Sequence, residues 1–156
     1  MTISSHSPAN TGFTLLEIMI AVTLIGILAT LALPLYSKMH KKTNNTLMQN
    51  ELRVASAALE IYTFENGGWP PDGSGGWPTE VLDYLPPPDR WNEPSPFGGS
   101  WAWSANSDGV AASLRINNFT ATPEQIKTLD KTIDDGDPTS GILLSNGTSL
   151  IYVLEK

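Results

Sequence analysis

The chain has 156 residues, a formal net charge of −7 and no cysteine. The missing cysteine excludes disulfides, thiolate metal sites and cysteine nucleophiles, and the acidic balance, with Lys38, Lys41 and Lys42 as its basic cluster, argues against nucleic-acid binding. Five Trp, 12 Pro and 13 Gly beside 40% apolar residues describe a folded chain rich in turns rather than a disordered one.

The first element in chain order is the run FTLLEIMIAVTLIGILATLALPLY, Phe13 to Tyr36, 24 residues with a single charge. As a helix it spans roughly 36 Å, enough to cross a bilayer. A buried core helix would be shorter and striped. A cleaved secretory signal is the stronger rival, opposed by the head MTISSHSPANTG with no Lys or Arg, by Glu17 inside the apolar stretch and by a mediocre cleavage site at Thr30-Leu31-Ala32.

Glu17 is the anomaly. A carboxylate at membrane depth is expensive unless it is paired, protonated or functional. The nearest fixed positive charge in the chain is Lys38, 21 residues on and about 32 Å along a helix, so a partner is expected outside the chain's own span. Cleavage between Gly12 and Phe13 would create an α-amino group four residues before Glu17. In a staggered assembly of identical chains, one chain's amine can then meet its neighbour's Glu17.

Gly12-Phe13-Thr14-Leu15-Leu16-Glu17, followed by a long apolar run, resembles the processing site of type IV prepilins and type II secretion pseudopilins. The resemblance implies a leader at residues 1–12, cleavage after Gly12 by a membrane aspartyl peptidase, methylation of Phe13, and a role for Glu17 in subunit docking. It makes residues 13–36 the transmembrane and assembly helix. Gly26 and Pro34 match a helix-weakening pair of the family, sensible because Gly is a poor helix former and Pro removes a backbone donor; an ordinary kinked transmembrane helix accounts for them equally. The implied partners are copies of the chain and related subunits, the prepilin peptidase and methyltransferase, an inner-membrane assembly platform and membrane lipid. The implied location is the bacterial inner membrane as a single-pass precursor, then a periplasmic or cell-surface filament. Two features depart from the pattern. The leader has His6 but no Lys or Arg, and Lys38, Lys41 and Lys42 follow the span, so a positive-inside count opposes the topology that the resemblance implies.

Residues 37–66 meet no Gly or Pro before Gly67, and Met48, Leu52, Ala55, Leu59 and Tyr62 recur at spacings of four and three. That predicts an amphipathic continuation of the helix with Glu51, Arg53, Glu60 and Glu65 mostly off the apolar face. Phe13 to about Glu65 would form one rod of roughly 80 Å, stopped by Asn66-Gly67-Gly68. The remainder, residues 67–156, is left for a small globular domain.

Eight of the 12 prolines fall between residues 67 and 101, with a local echo of Gly67-Gly68-Trp69-Pro70 in Gly75-Gly76-Trp77-Pro78. Such a stretch is loop. Glu65-Asn66-Gly67-Gly68-Trp69-Pro70 and Asp89-Arg90-Trp91-Asn92-Glu93-Pro94 resemble two pseudopilin turn motifs, Arg90 and Asn92 departing from the second. Between them Thr79 to Tyr84 reads as a short helix with Thr79 as its cap. Trp69, Trp77, Trp91, Trp101 and Trp103 have two readings: core aromatics pinned by Pro turns, or a sugar-stacking surface of a minor pilin or adhesin. Beyond them, Ser100 to Ala105, Val110 to Ile116, Gly141 to Ser145 and Ser149 to Leu154 are β-prone runs between turn signals such as Ser107-Asp108-Gly109. Thr122 to Asp130 has the Pro and Glu of a helix start. The fold class expected is therefore α+β, a long N-terminal helix packed on a small antiparallel sheet with a loop-rich middle, which the resemblance equates with the pilin fold.

Asp130, Asp134, Asp135 and Asp137, with Gly136 for a tight turn, supply hard oxygens in a short segment, a pattern that suits calcium or an ordinary solvated turn. Major pseudopilins resemble this arrangement in binding calcium through a C-terminal loop. No other cofactor is expected. The processed chain would keep a single His, His40, so neither a His-based triad nor a multi-His metal site can form. The sequence points to a non-enzymatic filament subunit.

Overall fold

The computed structural model describes residues 12–73, 75–107 and 109–156, with Pro88 described by its backbone alone. The expected leader, Gly12 excepted, lies outside these residues. Helix α1 runs over Leu15–Asn66 with Pro34 inside it. Its end is local chemistry: Gly67 adopts φ +76° and its N–H donates to the Thr63 carbonyl at 2.9 Å, the left-handed C-terminal stop that glycine makes without a Cβ clash.

Two compact units divide the chain, one reaching Met39 and the other beginning at His40. In the first, the large apolar side chains from Phe13 to Met39 are exposed. This part of α1 is long and apolar enough to cross a membrane.

The second unit is built on a four-stranded antiparallel sheet. Strands β1 (Ser100–Ser107), β2 (Val110–Asn117), β3 (Leu143–Ser145) and β4 (Ser149–Glu155) take the order β1-β2-β4-β3. Two hairpins thus flank an insertion between β2 and β3 that carries α2 (Pro123–Ile133). At the first hairpin Gly109 takes φ +79°, whereas Asp108 lies outside the described residues. The register pairs Trp101 with Ile116 and Trp103 with Leu114, then Leu114 with Tyr152, Ile116 with Leu150 and Leu143 with Tyr152. Directly paired residues share a face. That face joins Met48, Leu52, Ala55, Ala58 and Leu59 of α1 in one buried cluster, completed by Ile126 and Leu129 of α2. The apolar stripe expected on α1 is therefore its core face, with Tyr62 at the margin.

Two expectations need correction. The turn at Thr79–Tyr84 is a 3₁₀ helix whose cap position is Pro78. Thr79 already lies inside it, because the Val81 N–H bonds the Pro78 carbonyl at 3.1 Å. Strand β3 starts at Leu143 rather than at Gly141. Gly141 is at φ +82°, and the Ile142 N–H donates to the Asp134 carboxylate at 2.5 Å rather than to a strand. Helix α2, by contrast, starts where its residues dictate, on a capping box between Thr122 and Gln125 with Pro123 in the first turn.

Candidate functional site

The N-terminal site is assembled by local hydrogen bonds. The Thr14 hydroxyl oxygen accepts the Glu17 N–H at 3.2 Å, while the Glu17 carboxylate accepts the Thr14 N–H at 2.8 Å and the Thr14 hydroxyl at 2.9 Å. This is a reciprocal capping box, and it satisfies donors that every helix start leaves without partners. Glu17 thus has local partners within its own chain, although no positive charge among them. Sequence reasoning missed this role, and the signal for it was Thr14-Leu15-Leu16-Glu17, a Ser/Thr-x-x-Glu pattern ahead of an apolar run. Phe13 is almost wholly exposed beside the box. Farther along, Gly26 and Pro34 both lie within α1, and Pro34 leaves the Thr30 carbonyl without its usual helical donor.

The five Trp are divided by the fold. Trp91, Trp101 and Trp103 are 4%, 3% and 1% exposed, so no five-Trp sugar-stacking surface exists; burying these rings removes more apolar area from water than any other side chain would. Trp103 donates its indole N–H to the Pro70 carbonyl at 3.1 Å and lies 5.6 Å from Trp69. Trp69 in turn donates to Glu155. Trp77, Trp91 and Trp101 form a second group, with Trp77–Trp91 at 77° and Trp91–Trp101 at 66° between ring planes. Among the described residues their indole N–H groups meet no acceptor, and the steep angles set ring edges against ring faces, where an N–H can rest on a π cloud. Behind this group Arg90 reaches Glu51 of α1 and the Pro94 carbonyl, the latter at 3.2 Å. The Pro-rich loops are thereby tied to the helix and sheet.

At the end of α2 the chain brings together Asp130, Asp134 and Asp135, with carboxylate oxygens within 4.8 Å of one another. Asp137 stands apart: it accepts the Thr139 N–H at 3.1 Å and the Thr139 hydroxyl at 2.7 Å, which spends it on its own turn. Asp135 accepts the Asp137 N–H at 2.7 Å and the Ser140 hydroxyl at 2.9 Å, and these bonds hold its carboxyl below the usual range. Asp130 is the odd member. It is 0% exposed and neither carboxylate oxygen has a donor in hydrogen-bond geometry. Burial pushes its pKa up, the nearby Gly136 amide opposes this, and the charges of Asp135 and Asp134 reinforce it. A carboxyl whose folded pKa lies above its unfolded value of about 3.9 contributes stability below that pH and loses it as pH rises through the folded pKa. The Asp130 carboxyl, raised in pKa, thus lies beside two further carboxylates, and three hard-oxygen donors this close together suit a hard divalent cation such as calcium.

Both the N-terminal segment and the fold are similar to those of known proteins. Residues 8–33 match the family described as the prokaryotic N-terminal methylation motif. In sequence the chain is similar to the type IV major alpha-pilin of Moraxella bovis, 42% identical over 57 residues and 36% of each chain. It is also similar to the type II secretion system core protein G of Pseudomonas aeruginosa, 33% identical over 86 residues, which cover 53% of this chain and 58% of that protein. The chain thus spans between about a third and three fifths of the curated relatives it matches. In three dimensions it is similar to the major type IV pilin PilA1 from Clostridium difficile, with a TM-score of 0.56 and 18% identity over 77% of this chain and 99% of that one. That likeness gives the α+β pilin fold expected from the sequence.

Proposed function

We propose that the chain is a structural subunit of a type IV pilus-like or type II secretion pseudopilus filament, cut after Gly12, methylated on Phe13 and polymerised through the N-terminal part of α1. The observation that carries this reading is the methylation motif at residues 8–33 set at the head of a membrane-length helix whose large apolar side chains are exposed. Exposed apolar surface on this scale needs lipid before assembly and neighbouring helices afterwards. The chain's work is mechanical. Its partners on this reading are copies of itself, related subunits, the processing peptidase and methyltransferase, an inner-membrane assembly platform and lipid. It begins as a single-pass inner-membrane precursor and ends in a periplasmic or cell-surface filament. Intact and N-terminal mass spectrometry of protein from its native membrane or filament tests this: a chain starting at N-methylated Phe13 supports it, whereas an intact Met1 sinks it.

The same subunit holds calcium at Asp130, Asp134 and Asp135. The ion would offset the mutual repulsion of three clustered carboxylates and would tie the end of α2 to the loop before β3. Free calcium at 100 times its dissociation constant stabilises a fold by about 2.7 kcal/mol, and a domain of this size shifts its melting point by about 4–8 °C per kcal/mol. The full chain in detergent is expected to melt higher in calcium than in chelator by that amount. Asp130→Asn is expected to show no calcium increment, because one of the three carboxylate donors is gone. A wild-type melting point indifferent to calcium removes the metal from the reading.

A further inference from the structure

Asn-Gly occurs twice in the chain, at Asn66-Gly67 and at Asn146-Gly147. The pair is reactive because glycine has no side chain to hold its backbone nitrogen away from the preceding side-chain amide. Both pairs are exposed, yet the fold treats them in opposite ways. Asn66 ends α1, where its Nδ2 donates to the Tyr62 carbonyl at 2.9 Å and the Gly67 N–H donates to the Thr63 carbonyl at 2.9 Å. Amide and nitrogen are both committed to the last helical turn. Asn146 sits at the tip of the hairpin between β3 and β4, its N–H donating to the Ser149 carbonyl at 3.1 Å. Its Oδ1 accepts the Thr148 N–H at 3.1 Å, the Thr148 hydroxyl at 3.2 Å and the Ser149 N–H at 2.7 Å. This Asx turn closes a small ring that contains both the Asn146 Cγ and the Gly147 nitrogen. The Gly147 N–H reaches only the Ser145 hydroxyl, at 3.4 Å, a long bond that leaves it open to base from solution.

We propose that this hairpin tip is a self-modifying site at which Asn146 deamidates, with its own Cγ as electrophile and the Gly147 nitrogen as nucleophile. The Gly147 nitrogen bonds to Cγ and the Cγ–Nδ2 bond breaks. Nδ2 leaves as ammonia, which takes up the proton that the Gly147 nitrogen gives up. Negative charge develops on Oδ1 in the tetrahedral intermediate, and the three donors already aimed at that atom act there as an oxyanion hole. Holding both reacting groups in one ring removes most of the orientational cost. Water then opens the cyclic imide. Opening at the bond to Cγ gives aspartate, whose carboxylate keeps the same three donors. Opening at the bond to the Asn146 backbone carbonyl carbon gives isoaspartate, which adds a carbon to the main chain beside the Ser145–Leu150 pair and disturbs the register that the turn sets. Either product adds a negative charge, and the change accumulates with the age of the folded chain.

The test incubates the full chain in detergent, in mildly alkaline buffer made with heavy-oxygen water, followed by digestion in ordinary water and peptide mass spectrometry. Heavy oxygen enters where water has opened an imide. Asn146 is expected to convert about tenfold faster in the folded chain than in the same chain unfolded in guanidinium, and Asn66 about tenfold more slowly on folding. Opposite responses to folding are what separate the two turns from Asn-Gly chemistry alone. Thr148→Val, which removes the hydroxyl donor from an exposed position, is expected to slow the folded rate at Asn146 about tenfold and to leave the unfolded rate unchanged. A folded rate at Asn146 equal to or below the unfolded rate overturns the proposal. A folded Thr148→Val rate equal to that of the unaltered chain overturns the role given to the hydroxyl in the oxyanion hole.

Discussion

Glu17→Gln is expected to leave the chain matured at Phe13 and its N-terminal helix intact, yet to lower filament yield about tenfold or more. The expectation separates the capping role of the carboxylate from the assembly role proposed for it. In the single chain Glu17 closes a capping box with Thr14, and glutamine serves that position equally well. In the filament the same carboxylate would meet the α-amino group that cleavage creates on a neighbour's Phe13, and there the negative charge is indispensable. Glutamine would still accept a hydrogen bond from that ammonium but would lose the ion pair, and a loss of about 1.4 kcal/mol is a factor of ten in each subunit contact. Glu17→Val should fare worse, losing the cap as well at about 1 kcal/mol. Sedimentation yield and negative-stain imaging, with N-terminal mass spectrometry to show that cleavage and methylation persist, provide the measurement. If Glu17→Gln assembles normally, the carboxylate is only a helix cap and the neighbour's amine is not its partner.

The two prominent features were legible because they follow from short-range chemistry. Apolar residues between Phe13 and Tyr36 leave few options other than a membrane-length helix, and Asn66-Gly67-Gly68 can stop a helix without tertiary help. The β-prone runs also lie within two residues of the strands, since each is bounded by its own turn residues. What was not legible depends on where the chain returns. Asp130 reads as one acidic residue among four. Only the folded chain buries it beside Asp134 and Asp135, and only there does the Asp134 carboxylate take the Ile142 N–H from β3. Asp135 and Asp137 are two residues apart and identical in chemistry, but one joins the cluster while the other caps Thr139.

Trp103→Ala is expected to be the most destabilising single change in the domain. The side chain is 1% exposed and stands on β1 where the Pro-rich loop meets the sheet. Its indole N–H holds the Pro70 carbonyl at 3.1 Å, its backbone N–H holds the Gly76 carbonyl at 3.0 Å, and its ring packs on Trp69. Truncating a buried Trp costs about 3–5 kcal/mol, a large share of the roughly 5–15 kcal/mol that keeps a domain folded. The loop between Gly67 and Pro78 would lose its anchor together with the core volume. A phenylalanine series distinguishes the two contributions. Trp103→Phe retains most of the packing but leaves the Pro70 carbonyl without its donor, a loss of about 1–3 kcal/mol. Trp101→Phe and Trp91→Phe remove indole N–H groups that had no acceptor to begin with, so each should fall below the Trp103→Phe loss by about 1 kcal/mol. Urea unfolding of the full chains in detergent, followed by near-ultraviolet circular dichroism, ranks them. Equal losses across the three would mean that the hydrogen bond to Pro70 contributes nothing and that the loop is held by aromatic packing alone.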